Sequence, residues 1–377
     1  MTSFRLRHAA TLTAALLVSF QAQSADQTAL STATPYGFIQ LNATYENTPA
    51  NGAAAYSVLA KQPADNGLAG GFYGTARASR LGLKGSLLNN AGTYLLEADF
   101  GGSLPTNGKS SASTSFNLRH AYIQSGSWLV GQTWTNVYDL DAAPETIDSG
   151  APINSTGLRQ AQVRYQLVKN DADTIHLSVE TPTASLGTNK DGVALINDRA
   201  SRPDVTFRWS HKQAWGQVSL AGTSLQYVYD NANQANTANG YLLGLTGSVN
   251  VGNGKLIGGV TKGNGAGRYL WGSTYQGAFF DGTQLKTFMS DSQMVGYQHK
   301  WSDKVRSNLN YSVLTFADTP NAPSVDNKQL RQYLVNTFVA VAPGIELGVE
   351  WEGGKRMLFN QNVHYDNRVN MQVRASF

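Results

Sequence analysis

The side chains with chemistry to offer are few and scattered. The histidines His120, His176, His211, His299 and His364 sit on separate segments with no paired metal-ligand spacing, so no metal site is implied. There is no cysteine, which excludes a thiol nucleophile and a thiolate metal centre. Ser–His hydrolases assemble their residues from distant segments, as some barrel-wall phospholipases do, but no Asn–His–Ser grouping marks such a site here. The glycine run Gly263-Asn264-Gly265-Ala266-Gly267 lacks the following Lys-Ser/Thr and helix of a phosphate loop, and reads as a loop opening. No catalytic residue, cofactor or metal is expected.

One segment stands apart. Residues 137–156 carry Asp139, Asp141, Glu145 and Asp148 among Val137, Tyr138, Leu140, Ala142, Ala143, Pro144 and Ile147, with no basic residue. That is too apolar for a fully solvated loop. Folded inward, its acids need cations, because an unpaired buried carboxylate costs several kcal/mol. By strand order the nearest cations are Arg119, Arg159, Arg164 and Arg208. Those left partly unpaired would offer a bidentate site to a small dicarboxylate. The bland alternative is an Ω-loop on the surface.

The elements that would hold such a loop are strands. Charged residues make up 14% of the chain and aromatics 10%, with 38 glycines, and mean hydropathy is −0.29. No apolar run reaches the roughly 20 residues of a membrane helix. The last segment alternates strictly: Val369, Met371, Val373, Ala375 and Phe377 on one face, Arg368, Asn370, Gln372, Arg374 and Ser376 on the other. The same period of two places strands near 37–46, 76–88, 92–102, 115–125, 127–136, 157–168, 173–183, 202–212, 215–230, 239–251, 255–264, 291–301, 304–317, 328–341, 345–357 and 364–377. Alternation breaks near Thr223, where a bulge is expected. Gln132, a polar residue on the face of Trp128, Val130 and Trp134, suits a subunit contact better than lipid.

Connections after even-numbered strands are tight, as in Asn89-Asn90-Ala91, Asn170-Asp171-Ala172 and Ala342-Pro343-Gly344; those after odd-numbered strands are mostly long. Trp128, Trp215 and Trp301 flank tight turns, while Tyr45, Trp134, Tyr229 and Trp351 sit at opposite strand ends. Short turns, long loops and two aromatic belts are the pattern of an all-β, 16-stranded antiparallel transmembrane barrel in outer-membrane lipid. A soluble sandwich or β-helix explains neither the belts nor the N-terminus. There Arg5, Arg7 and His8 precede the apolar run Ala9 to Phe20 and a small-residue cleavage site, so residues 1–24 read as a secretory signal. A short periplasmic segment at 25–35 and the barrel at 36–377 would follow. The cleaved chain loses two of 29 basic residues against 25 acidic ones and is nearly neutral, with no basic block for nucleic acid.

Parity turns Arg80, Lys84, Arg164, Arg208, Lys300, Arg306, Arg356, Arg368 and Arg374 inward, with Glu97, Asp99, Glu180, Glu346, Glu350 and Glu352. Segregated charge across a pore makes a transverse field, and a basic wall concentrates anions. The expected lining is Arg80, Lys84, Arg119, Arg159, Arg164, Arg208, Arg306 and Arg374 against Asp139, Asp141, Glu145 and Asp148. The expected function is passive diffusion of small hydrophilic solutes, with a plugged adhesin or structural barrel, or an outer-membrane hydrolase, as alternatives. Phe377 resembles the terminal residue that the barrel-assembly machinery recognises.

Leu118-Arg119-His120-Ala121-Tyr122, Trp128-Leu129-Val130-Gly131-Gln132-Thr133-Trp134-Thr135, Pro144-Glu145-Thr146-Ile147-Asp148 and Arg159-Gln160-Ala161-Gln162-Val163-Arg164-Tyr165 together resemble the DcaP-like porins, and Ser79-Arg80-Leu81-Gly82-Leu83-Lys84-Gly85 echoes an early strand of that family. The resemblance implies a homotrimeric sixteen-stranded outer-membrane porin that passes small anions, dicarboxylates in particular. In such porins the loop after strand five, here 137–156, forms the constriction. Many relatives carry a periplasmic helical extension before the first strand, for which residues 25–35 leave no room.

Overall fold

The structure is a computed structural model that describes residues 32–377 except 47–70, 102–114, 149, 153–155, 183–186, 190, 194, 196–197, 232–233 and 271–275. The expected signal peptide lies outside the described residues.

The wall strands are β1 (Thr34–Glu46), β2 (in two pieces, Gly71–Thr75 and Arg80–Ser86), β3 (Thr93–Asp99), β4 (Asn117–Ser125), β5 (Trp128–Trp134), β6 (Arg159–Lys169), β7 (Asp173–Glu180), β8 (Asp204–Gln213, extended by Asp198–Arg199), β9 (Gly216–Asn231), β10 (Gln234–Val251), β11 (Gly254–Asn264), β12 (Met289–Lys300), β13 (Val305–Phe316), β14 (Asn327–Ala342), β15 (Ile345–Leu358) and β16 (Val363–Ser376). Each pairs antiparallel with its neighbours, and β1 closes on β16 from Phe38↔Ser376 to Glu46↔Arg368. Closure leaves no free edge among the described wall strands, the condition for a sheet to span lipid. All sixteen expected strands are present, and the third external loop folds inward. No helix among the described residues is long and apolar enough to cross a membrane; the strands do the crossing.

Alternation becomes two surfaces. Ile39, Leu41, Leu96, Val130, Leu243, Leu309 and Val349 are exposed on the outside, whereas Gln40, Asn42, Gln162, Gln217, Asn308, Asn336 and Gln372 are buried inside. Tight turns at the periplasmic end use Gly126, Gly252 and Gly344 at φ of 54°, 55° and 74°, the left-handed region that glycine enters without strain. Trp128, Trp215 and Trp301 are exposed beside these turns. Farther up the wall Tyr311, Tyr333 and Trp351 stack in a row, with centroids 6.2 and 6.1 Å apart.

Three expectations need correction. No bulge occurs at Thr223: the β9–β10 register runs without a shift from Gly216↔Val249 to Asn231↔Gln234. What changes there is the chemistry of the inward face, because Leu225 and Tyr227 pack under the loop after β11 with Tyr269, Phe279 and Phe288. That loop holds two short strands, Ala278–Phe280 and Leu285–Thr287, and the first pairs parallel with Gly187–Asn189 of the loop after β7. Tyr229 belongs to this inner cluster, 5.0 Å from Phe280, and not to an outer belt. Trp134 likewise is covered, half-buried among His120, Tyr138 and Arg159. The observed register shifts fall at Glu97/Ala98, Gln166/Val168, Asn327/Gln329 and Ala340/Ala342. Gln132 donates its amide to the Leu118 carbonyl at 2.7 Å.

Candidate functional site

Beyond Trp134 the chain leaves the wall and turns into the lumen. The Asn136 N–H donates to Glu180 Oε1 at 2.8 Å and its side chain to Thr206 Oγ1 at 3.0 Å, which starts the loop on an inward course. Val137, Pro144 and Pro152 then pack over Ala221 and Leu242, leaving a cavity of about 50 Å³. The apolar residues of 137–156 thus find the wall, and the acids are left to find donors.

Asp139 finds the most. Arg208 donates at 2.8 Å, Gln217 at 2.8 Å and Thr246 at 2.5 Å, and the Asp141 N–H closes a turn on it at 3.1 Å. Burial alone would push this carboxyl up. The Arg208 guanidinium, with the Thr246 and Gln217 donors, outweighs burial and holds it below the usual carboxylate range. Arg208 also donates to the Tyr138 carbonyl. Asp141 pairs with Lys212 at 3.2 Å, a well-exposed contact. Glu145 takes a two-pronged pair from Arg306, at 2.7 and 2.5 Å, and Arg306 also reaches Glu346 at 2.7 Å.

The far end of the loop is held by an acid from the wall. Both oxygens of Glu350 accept main-chain N–H groups, from Ile147 and Asp148, each at 2.8 Å. Asp148 pairs with Arg368 at 3.2 Å, and Arg368 also meets Glu46 at 2.7 Å. Gly348 makes room for Ile147: a Cβ there would stand 2.9 Å from Ile147 Cδ1. In ten residues the loop therefore sweeps the inner wall from β8 to β16.

The expected lining residues are not all where strand order put them. Arg208 does meet Asp139. Arg119, Arg159 and Arg164 meet none of the loop acids, because the loop runs away from β4 and β6. Arg119 is buried between Glu97 and Asp99, at 2.7 Å from each. Arg159 lies with its guanidinium 4.3 Å from the Trp134 ring centroid. Arg164 donates to Gln162 and to the Trp134 carbonyl. The partners that strand order missed are Lys212, Arg306 and Arg368, with Gln217, Thr246 and Glu350. All six take the inward parity of their strands, yet parity does not say which acid each would meet.

Two further cations converge on one ring at the foot of the wall. Arg80 and Arg374 approach the same ring, Phe38, at 5.1 and 4.7 Å. Arg374 donates to Gln40 and Gln372 and makes no ion pair among the described residues, with Glu346 opposite it in the ladder; Arg80 shares Glu97, at 3.7 Å, with Arg119. Lys84 is exposed, 5.1 Å from the Tyr36 ring centroid. No group of three or more His, Asp or Glu among the described residues is arranged to hold a metal ion.

A barrel with this inward loop has known counterparts. The family model for the DcaP outer membrane protein matches residues 12–377. The chain belongs to that family. Its fold is similar to the crystal structure of the outer membrane channel DcaP of Acinetobacter baumannii, at 25% identity and a TM-score of 0.81, covering 92% of this chain and 97% of that one. It is also similar to an anion-selective porin from Comamonas acidovorans (13% identity, TM-score 0.58, 92% and 99% coverage) and to OmpT of Vibrio cholerae in trimer form (12%, 0.57, 92% and 99%). Comparison with curated protein sequences gives no match. This DcaP-family barrel is an outer-membrane porin. Family and fold are those of a channel rather than an enzyme.

Proposed function

We propose that the protein lets small hydrophilic solutes diffuse passively and favours anions, dicarboxylates among them. The observation that carries this reading is the division of charge around the opening. Each of the four loop acids is tied to a cation by an ion pair, whereas Lys84, Arg164 and Arg374 face the lumen without an ion pair among the described residues. The paired approach of Arg80 and Arg374 to Phe38 suits two carboxylates of one solute. The Comamonas porin, described as anion-selective, and the Vibrio protein, described in a trimer form, support anion preference and a homotrimer for this chain by analogy of fold. No catalytic step is assigned, and secretion through cleavage of residues 1–24 belongs to the same reading.

Reversal potentials in a salt gradient across a planar bilayer test it. At about 0.15 M salt the Debye length is roughly 8 Å, so one wall charge is felt across a porin constriction. Arg374→Gln and Arg164→Glu should each lower the anion/cation permeability ratio, and Arg374→Gln should weaken block by succinate. An unchanged ratio in both variants overturns the proposal. Arg208 is no probe of selectivity, since its charge anchors the loop.

A further inference from the structure

Beyond the outer aromatic row the lipid-facing wall carries two cations with no acid beside them. Arg331 on β14 and Lys355 on β15 are directly opposite in the ladder. They continue the outward faces of Tyr333 and Val335, and of Val349 and Trp351. Like charges in directly opposed positions repel, so the pair calls for a counter-charge. The outward positions around it are Val313, Gln329, Tyr333, Gly353, Met357 and Tyr365, all uncharged. Among the described residues neither cation forms an ion pair: Arg331 Nε donates to Gln329 Oε1 at 2.7 Å, and Lys355 Nζ lies 5.8 Å from the Tyr365 ring centroid. The arrangement differs at β11 and β12, where outward Lys262 stands opposite Asp291.

Height decides what the counter-charge is. Each strand residue advances about 3.4 Å, so Arg331 lies about 7 Å along the strand beyond Tyr333. With a tilt of roughly 35–45° this is about 5 Å along the membrane normal. Arg331 and Lys355 also lie four and three residues from the outer ends of β14 and β15, which places both in the headgroup region of the external leaflet. Gln329 holds the guanidinium by its Nε and leaves the two terminal nitrogens for a ligand.

We propose that Arg331 and Lys355 bind the phosphate of a phosphorylated lipid headgroup in the external leaflet. Arg331 grips the phosphate as a fork and Lys355 adds a point charge. The occupant is a lipid and not a free anion, because the site opens directly above the Tyr311, Tyr333 and Trp351 rings, which give the attached chains an apolar seat. The site lies on the opposite side of the wall from the lumen and is independent of the selectivity reading.

Native mass spectrometry of the detergent-purified protein, titrated with diphosphorylated lipid A, tests the site. Arg331→Gln and Lys355→Gln should each weaken retention about fivefold, and together about thirtyfold. The double exchange Arg331→Lys with Lys355→Arg, which keeps both charges, should restore retention. Lipid A stripped of phosphate should bind the unaltered protein no better than the double glutamine variant does. Millimolar inorganic phosphate should not displace the lipid. Undiminished retention by the double glutamine variant overturns the proposal, as does full binding of the stripped lipid. Displacement by inorganic phosphate makes this a free-anion site and overturns the lipid assignment. Gel mobility with and without boiling, which a closed barrel should change, reports the fold of each variant independently.

Discussion

Asp139 is the point at which the inward loop can be released with the least change of shape. Replacing it by Asn keeps the size and removes the charge that faces Arg208. Both side chains are largely buried, 3% and 18% exposed. Breaking a buried pair by neutralising one partner costs about 3–5 kcal/mol, and the residual exposure of Arg208 argues for the lower end. About 3 kcal/mol raises the population of the detached loop by a factor of about 10². The wall does not depend on this contact, so the barrel should assemble and migrate differently on gels with and without boiling. Single-channel recording should show more frequent conductance transitions in Asp139→Asn than in the parent. The pH dependence has a definite sign. The folded-state pKa of Asp139 is depressed, so its contribution is present above the ordinary value of about 3.9 and is lost as pH falls through the depressed value. Parent channels should therefore stay quiet at neutral pH and gain transitions only in strong acid, while Asp139→Asn should show them at neutral pH. Identical records for the two proteins at pH 7 would refute the anchoring role.

Two further outcomes follow from close contacts. Gly348→Val puts a branched side chain where Ile147 Cδ1 and Phe338 already stand, at 2.9 and 3.0 Å, at an overpacking cost of about 1–3 kcal/mol; single-channel conductance should change while the far-ultraviolet spectrum stays β-type, and an unaltered conductance would show that the loop tip does not set it. Phe377 exchanges two main-chain hydrogen bonds with Gly37, both 3.1 Å, where the barrel closes; deleting it should lower the assembled fraction in outer-membrane preparations with synthesis unaffected, and normal assembly would show that this residue neither closes the seam nor guides the assembly machinery.

Much of the barrel is legible in the chain itself because strand parity is a local property. Successive side chains point to opposite faces whatever lies far away, so Val369 to Phe377 and Arg368 to Ser376 are sorted by period alone. The inward course of 137–156 is legible for a related reason: Val137, Pro144 and Ile147 need cover, and no basic residue nearby serves the acids. Pairing is a different matter. Asp139 meets Arg208, Glu145 meets Arg306 and Asp148 meets Arg368, the last two across 161 and 220 residues. Nothing in the local pattern distinguishes Arg306 from Arg164 as the partner of Glu145. The choice follows from the path of the loop along β8 to β16, and that path exists only once β1 has closed on β16. The same holds for Tyr229 and Thr223. Their period assigns them a face, but which neighbours cover that face depends on a loop folded in from β11. Periodicity determines which side of the wall a residue takes, and closure of the barrel decides what it meets there.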